Sequence, residues 1–260
     1  MDKHLSEGFT RFVHLVERQM LLHQERSKLI QQHVVEQSAG PYQFITISRD
    51  IGALGDAVAS ELAARLHWKV YDKEIVDYIA THRNVRHSLV DQLDEKTQSH
   101  IHDSVERILL TFQGDSFGND NYHISLIQAL SALAAQGSCV LLGHGGAYAL
   151  REQPGLHVRI KASFPVRVRR LSKRWGISLE ETRRIVQRTD QDRKDFVQHH
   201  FKPDRNDLSF FHLVFNTEEI AVEYVVAAIL GIMERSKHHD ETLLPPRYDS
   251  FAFQNSEQSP

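Results

Sequence analysis

The sequence has little cysteine, no long apolar run and almost no net charge, and each shortage excludes a class of protein. Cys139 is the single cysteine among 260 residues, which excludes an intrachain disulfide framework and favours a reducing compartment. No apolar stretch approaches the roughly 20 residues that cross a bilayer. The polar start, Met-Asp-Lys-His, does not resemble a signal peptide. We therefore expect a cytoplasmic protein with no membrane partner.

The charge balance argues against a nucleic-acid partner. Lys and Arg number 31 and Asp and Glu 34, which gives a formal net charge of -3 at pH 7. Proteins that bind a polyanion over a large surface carry a basic surplus, so any basic site here is local. Aromatic residues are also not interleaved with the clustered arginines, as they are in single-strand binders. We expect no nucleic-acid binding.

Histidine is plentiful, but the spacing typical of zinc ligands is missing. The 17 histidines include no His-Glu-x-x-His motif, and there is no cysteine pair. The doublets His199-His200 and His238-His239 come closest, and structural zinc sites need four ligands. We predict no metal site built from protein ligands.

Short apolar, β-branched runs alternate with helical patterns along most of the chain. This alternation predicts a three-layer α/β fold, with a parallel five-stranded sheet and helices on both faces. The strands are predicted at 44–48, 69–71, 138–142, 156–162 and 211–216, and a last helix at 218–234.

Both ends of the chain lie outside this α/β unit, which we assign to residues 41–235. Residues 1–40 are predicted to be a helical extension, with one long helix over 5–37 that has a thin apolar stripe. The helix either lies along the main domain or mediates a homodimer or another partner contact, and both interpretations stay open. Residues 236–260 are polar and are expected to be a disordered tail.

A glycine-containing loop joins the first strand to the first helix. Gly52 and Gly55 allow backbone N–H groups to turn inward before a helix N-terminus, an arrangement that binds phosphate. The loop lacks the Lys and the Ser or Thr of a full Walker loop, and Arg49 is its only cation. Taken alone, the spacing fits either a phosphate loop or an ordinary strand-to-helix turn.

Two consecutive helices carry most of the basic residues. Their arginines are Arg167, Arg170 and Arg174 in the first helix and Arg183, Arg184, Arg188 and Arg193 in the second. Guanidinium groups match phosphate oxygens, so the pair of helices could close over phosphates as a lid. Alternatively, the helices are a solvated pair with internal contacts at i, i+4, such as Glu180–Arg184 and Arg188–Asp192.

Taken together, these segments resemble the cytidylate kinase-like family of P-loop nucleoside monophosphate kinases. The matching stretches are ITISRDIGALGDAVASELAARL, KVYDKEIVDYIA, VDQLDEK, CVLLGHGGAYALREQPGLHVRIKA, RTDQDRKDFVQHHF and LVFNTEEIAVEYVVAAI. The resemblance implies a P-loop kinase fold, ATP and Mg²⁺ as cofactors, nucleotides as ligands, and phosphoryl transfer to a nucleoside monophosphate such as CMP. A catalytically silent nucleotide- or partner-binding module is the alternative.

The resemblance also implies roles for individual positions. The phosphate-binding residues are Ser48, Arg49, Gly52 and Gly55. The acceptor-binding residues are Tyr71, Asp72, Lys73 and His144, with residues 81–122 as an acceptor-side helical region. The catalytic residues, in a lid region over 163–205, are Arg167, Arg170, Arg174, Arg188, Asp190 and Arg193.

Two positions depart from the family pattern. Family members usually continue the loop as Gly-Gly-Arg-Glu, whereas this chain has Asp56 after Gly55. An anion in place of a cation at about 4 Å changes a pair energy by several kcal/mol at an effective dielectric near 20. This weakens triphosphate binding unless Asp56 points away or holds magnesium. His144 stands at the position of the arginine in the family's usual Gly-Arg-Gly turn. Unlike that of arginine, the charge of histidine depends on pH.

Overall fold

The computed structural model describes residues 42–91, 93–111, 121–203 and 208–235, and every structural statement below concerns these residues. The predicted N-terminal helix with its homodimer, and the predicted C-terminal tail, lie outside them. None of the described helices is long and apolar enough to cross a membrane.

Five strands form one parallel sheet in the order β2-β3-β1-β4-β5. The strands are β1 (Phe44–Arg49), β2 (Lys69–Tyr71), β3 (Cys139–Leu142), β4 (Gly155–Lys161) and β5 (Leu213–Asn216). The predicted three-layer α/β fold is confirmed. Parallel strands buried on both faces have near-continuous apolar runs, which is why the sequence located them well.

Nine helices are found among the described residues. They are α1 (Gly55–Leu66), α2 (Lys73–Thr81), α3 (Arg83–Asp91), α4 (Glu95–Thr111), α5 (Asn121–Gln136), α6 (Gly146–Ala149), α7 (Phe164–Trp175), α8 (Leu179–Phe201) and α9 (Val222–Arg235). The start predicted for the last helix was wrong by four residues, because the chain first turns after β5, where the N–H of Glu219 donates to the carbonyl of Asn216.

Alternate residues of β1 pack against opposite layers. Phe44 belongs to the cluster formed mainly with α2 and α5, whereas Ile45 and Ile47 belong to the cluster formed with α1 and α9. All three are almost fully buried, and each such side chain stabilises the fold by about 1.5–3 kcal/mol. The central strand therefore holds both helical layers.

The strand order creates a crevice at one edge of the sheet. β1 lies between β3 and β4, so the loops that follow β1 and β3 leave the sheet side by side. Open parallel sheets bind ligands outside the carboxyl ends of their strands at such a point. The candidate site lies here, between the loop of residues 50–54 and the turn Gly143-His144-Gly145.

Candidate functional site

The loop after β1 has two left-handed residues, and only one of them is glycine. Gly52 has φ +77, and a Cβ on it would lie 2.8 Å from Cδ1 of Leu171. Leu54 has φ 63 and precedes α1 without a side-chain capping bond. A left-handed leucine costs roughly 1–2 kcal/mol. Strain of this kind persists where the surroundings fix the backbone, and it concentrates at functional loops.

The side chain of Arg49 spans the crevice. Its Nη1 donates to the carbonyl of Leu142 at 3.2 Å, and its Nε donates to Oδ1 of Asp56 at 3.2 Å. A Cβ on Gly143 would lie 2.2 Å from Nη1, and one on Gly55 would lie 2.5 Å from the Cβ of Arg49. The glycines on both sides thus make room for Arg49. Asp56, the residue that departs from the family pattern, is the counter-ion of Arg49.

Sequence reasoning missed a second cation beside the loop. Arg159 on β4 lies opposite Ser48 in the sheet register, and its Nη1 donates to the Ser48 hydroxyl at 3.0 Å. Its Nη2 forms an ion pair with Asp50. The only signal was one arginine inside the alternating strand LHVRIKA, which does not indicate a partner.

Arg193 reaches the same loop from α8. Its Nη1 donates to the main-chain carbonyl of Arg49 at 2.9 Å. Burial lowers the pKa of Arg193, the charge of Arg49 lowers it further, and nearby carboxylates, with Asp56 the largest contributor, oppose both effects. Cations and carboxylates therefore surround the loop after β1 in near balance.

The side of the crevice that follows β3 is built around His144. Its φ is 55, between Gly143 at 87 and Gly145 at 69, so three consecutive residues are left-handed. The imidazole Nε2 lies 2.7 Å from Oδ1 of Asp77, and the hydroxyl of Tyr122 donates to the same oxygen. Burial lowers the pKa of His144, and the hydrogen bond to Asp77 opposes this shift. No spacing in the sequence pointed to Asp77 or Tyr122.

The segment Tyr71-Asp72-Lys73 is divided among three environments. Tyr71 is buried in the core, which raises the pKa of its phenol. Asp72 caps α2 by accepting from the N–H of Ile75 at 3.2 Å. Lys73 is exposed and lies close enough to His144 to lower its pKa.

Two of the predicted lid arginines hold protein groups. Arg167 donates from Nη1 to the carbonyl of Ile51 at 3.0 Å, and its Nη2 lies 2.8 Å from Oδ2 of Asp190. Arg170 donates to the carbonyl of Thr217 at 2.6 Å. These contacts fasten α7 to the loop after β1, to α8 and to the end of β5.

The exposed arginines of the two helices are arranged differently. Arg174 lies on the surface. Arg188 lies 4.0 Å from Asp192, and Glu180 and Arg184 form an ion pair. These are the two i, i+4 contacts expected for a solvated pair of helices. The catalytic roles given to the six lid residues stay predictions.

Aromatic residues near the end of α8 cover the turn Gly143-His144-Gly145, and no pattern in the sequence predicted this contact. The ring of Phe196 lies 5.4 Å from that of His144. A Cβ on Gly145 would lie 2.0 Å from Cε2 of Phe201, so that ring rests directly on the turn. One residue before Phe201, His200 stacks on His123 with ring centroids 5.2 Å apart.

Metal ligands are not clustered in the ranges that the structure describes, where no three His, Cys, Asp or Glu residues could hold an ion. Of the two histidine doublets, His238-His239 lies beyond the described ranges.

Comparison with known proteins agrees with this geometry. The family model described as "Cytidylate kinase-like family" matches residues 44–219. A cytidylate kinase of Sulfolobus acidocaldarius is 28% identical over 114 residues, which are 44% of this chain and 62% of that protein. A cytidylate kinase of Pyrobaculum arsenaticum is 33% identical over 118 residues, 45% of this chain and 64% of that protein. The chain thus spans less than two thirds of either relative.

A solved structure supports the fold independently. An uncharacterized protein from Eubacterium ventriosum superposes with a TM-score of 0.57 at 18% identity, covering 74% of this chain and 98% of that one. The family match extends over more than half of the sequence and includes the loop after β1, the Gly143 turn and both arginine-bearing helices. The chain therefore belongs to the cytidylate kinase-like family.

Proposed function

We propose that this protein transfers a phosphoryl group from ATP, as its Mg²⁺ complex, to a nucleoside monophosphate, with CMP as the acceptor to test first. The observation that carries the proposal is the position of Arg49 between the loop of residues 50–54 and the turn Gly143-His144-Gly145. Phosphoryl transfer depends mainly on positioning and on neutralising charge spread over phosphate oxygens. A guanidinium between the donor and acceptor sides is suited to both tasks.

The residues of the loop fit a polyphosphate. Gly52 and Gly55 present backbone without a Cβ in front of α1, a helix of 12 residues whose N-terminus favours anions. Arg49 and Arg193 would hold the phosphates, with Arg49 in the place of the missing Walker lysine. Asp56, with 67% of its side chain exposed, would remain the counter-ion of Arg49 and reduce the attraction for the phosphates. When bound, the metal ion adds positive charge at the phosphate oxygens.

A catalytically silent binding module is the second candidate, and three contacts favour it. Arg49 is already paired with Asp56. Arg167 and Arg170 donate to protein carbonyls rather than into the crevice. His144 has a lowered pKa and therefore no fixed positive charge.

The two candidates are separated by measuring turnover and binding on the same protein. A coupled assay for ADP formation is run with CMP, dCMP, UMP and small non-nucleotide acceptors, and thermal shift is measured with ATP-Mg. A ligand that binds only the folded state raises the unfolding midpoint. Turnover with a nucleoside monophosphate supports the kinase, and binding without turnover supports the silent module. An absence of both refutes the kinase and a nucleotide-binding module alike.

Asp56→Arg tests the loop itself. We expect ATP-Mg to bind about tenfold more tightly, a gain of about 1.4 kcal/mol, because an anion beside the phosphates is replaced by a cation. Glu61→Arg is the matched control, since it makes the same change of charge on α1 at a residue that pairs with Arg65 instead. Equal affinities in the two variants would show that Asp56 does not face the phosphates.

A further inference from the structure

One carboxylate oxygen links three elements at the acceptor side. Oδ1 of Asp77 on α2 accepts from the phenol of Tyr122 on α5 and lies 2.7 Å from Nε2 of His144 in the turn after β3. Only 6% of the His144 side chain is exposed, against 33% for Asp77. The imidazole is thus held inside the protein, while its partner stays partly exposed to solvent.

The hydrogen bond defines which nitrogen of His144 can take up a proton. A carboxylate only accepts, so Nε2 carries the hydrogen and Nδ1 carries the lone pair. An added proton would bind at Nδ1 and give an imidazolium whose Nε2–H still donates to Asp77. Asp77 therefore fixes the tautomer and supplies the counter-charge of the protonated ring.

The surroundings keep the ring uncharged while no anion is bound. From α2, Lys73 and Asp77 face it, from β1 Arg49 does, and α8 contributes the ring of Phe196. Tyr122, from α5, acts on it through Asp77. Burial is the largest influence on the pKa of His144, and two nearby cations lower it further. A phosphate dianion would reverse this balance, since it adds negative charge beside the two cations and the ring.

We propose that Asp77 is a positioning residue that couples binding of the acceptor phosphate at the Gly143 turn to uptake of one proton by His144. This deepens the proposed function and rests on it. The proton comes from solvent and forms an N–H bond at Nδ1, and no other bond is made or broken. Acceptor affinity then rises as pH falls from 8 towards 6.5, whereas donor affinity does not follow the same profile.

The test is calorimetric titration of the full chain with CMP and, separately, with inorganic phosphate. Each titration is done at pH 7.5 in buffers of different ionisation enthalpy. At this pH both ligands, with a pKa near 6–7, are mostly dianionic. The dependence of the measured heat on buffer gives the protons taken up, after subtraction of the ligand's own contribution. We expect uptake approaching one proton in the wild type and none in His144→Arg, which keeps a fixed charge and binds independently of pH.

Asp77→Asn separates positioning from mere folding. It removes the counter-charge, so proton uptake should be lost and acceptor affinity should fall about tenfold at pH 7.5. ATP-Mg affinity should stay unchanged, and Asp77→Glu should restore part of the uptake. If Asp77→Asn does not fold, the pKa of His144 is followed by NMR in the wild type, where added phosphate should raise it.

Each outcome bears on the inference. Binding without proton uptake overturns the inference, and so does proton uptake that persists in His144→Arg. It is also overturned if phosphate does not raise the pKa of His144 in the NMR titration, or if neither ligand binds. If CMP does not bind but phosphate binds with uptake that His144→Arg abolishes, the inference stands and the proposed nucleotide acceptor fails.

Discussion

Replacing Arg167 by methionine should damage the fold before it affects any chemistry. The guanidinium donates to the carbonyls of Ala162 at 3.1 Å and Ile51 at 3.0 Å, and it lies 2.8 Å from Asp190. The exposed fractions are 7% for the Arg167 side chain and 18% for that of Asp190. Methionine keeps the aliphatic stem but leaves these acceptors without the cation.

The structure sets the size of this effect. Removing one partner of a buried ion pair costs about 3–5 kcal/mol, because the other charge stays buried without compensation. Water reaches Asp190 in part, so we expect a loss near the lower limit, about 3 kcal/mol. Adding Asp190→Asn should recover part of it, with a coupling energy of about 1–3 kcal/mol in a double-mutant cycle.

The assay is urea unfolding of Arg167→Met, Asp190→Asn and the double variant, together with ADP formation. Arg174→Met on the same helix is the control, since Arg174 is exposed and its replacement should change stability by at most about 0.5 kcal/mol. A loss of less than about 1 kcal/mol in Arg167→Met, combined with lost turnover, would refute this reasoning. Arg167 would then act on the substrate, as the family resemblance implies.

Three further predictions concern strained and buried positions. Gly143→Ala should destabilise the protein by about 2 kcal/mol or more, because φ is +87 and the new Cβ would lie 2.2 Å from Nη1 of Arg49. Gly231→Ala is the control, because its Cβ meets nothing within 4 Å. There, the higher helix propensity of alanine should stabilise the protein by up to about 1 kcal/mol. Burial lowers the pKa of His157 from 6.5 to about 4, so acid protonates the unfolded state first, and stability should fall by about 2 kcal/mol between pH 7 and pH 5. Urea unfolding at both values should show a smaller loss in His157→Gln, and an identical loss would exclude His157 as the cause. Leu54→Gly should be about 1 kcal/mol more stable than Leu54→Ala by thermal unfolding, since both lose the same packing but only glycine relieves the left-handed strain.

Local patterns predicted the fold well, because its helices and strands are determined by residues that are close together in the sequence. The strands are short β-branched runs, and the start of α8 follows from Ser178, whose hydroxyl accepts from the N–H of Glu181 at 3.1 Å. Helical spacing also placed the ion pair of Arg188 with Asp192 correctly. Each of these features depends on residues within a few positions of each other.

The candidate site could not be predicted in the same way, because its contacts join distant parts of the chain. Arg159 and Asp50 are 109 residues apart, and His144 and Asp77 are 67 apart. No local spacing in the sequence indicates such pairs, so only the family resemblance predicted a role for His144. Helical spacing likewise placed Arg167 on one face of α7 without showing that the face packs against the loop after β1.

The attachment of α8 at two points has a consequence for binding equilibria. Arg193 donates to the carbonyl of Arg49 beside the loop after β1, and eight residues later Phe201 rests on Gly145 in the turn after β3. That separation is about 12 Å along a continuous helix, which is too short and stiff to move at one end alone. In the proposed reaction, donor and acceptor should therefore bind with positive cooperativity, each lowering the dissociation constant of the other by the same factor.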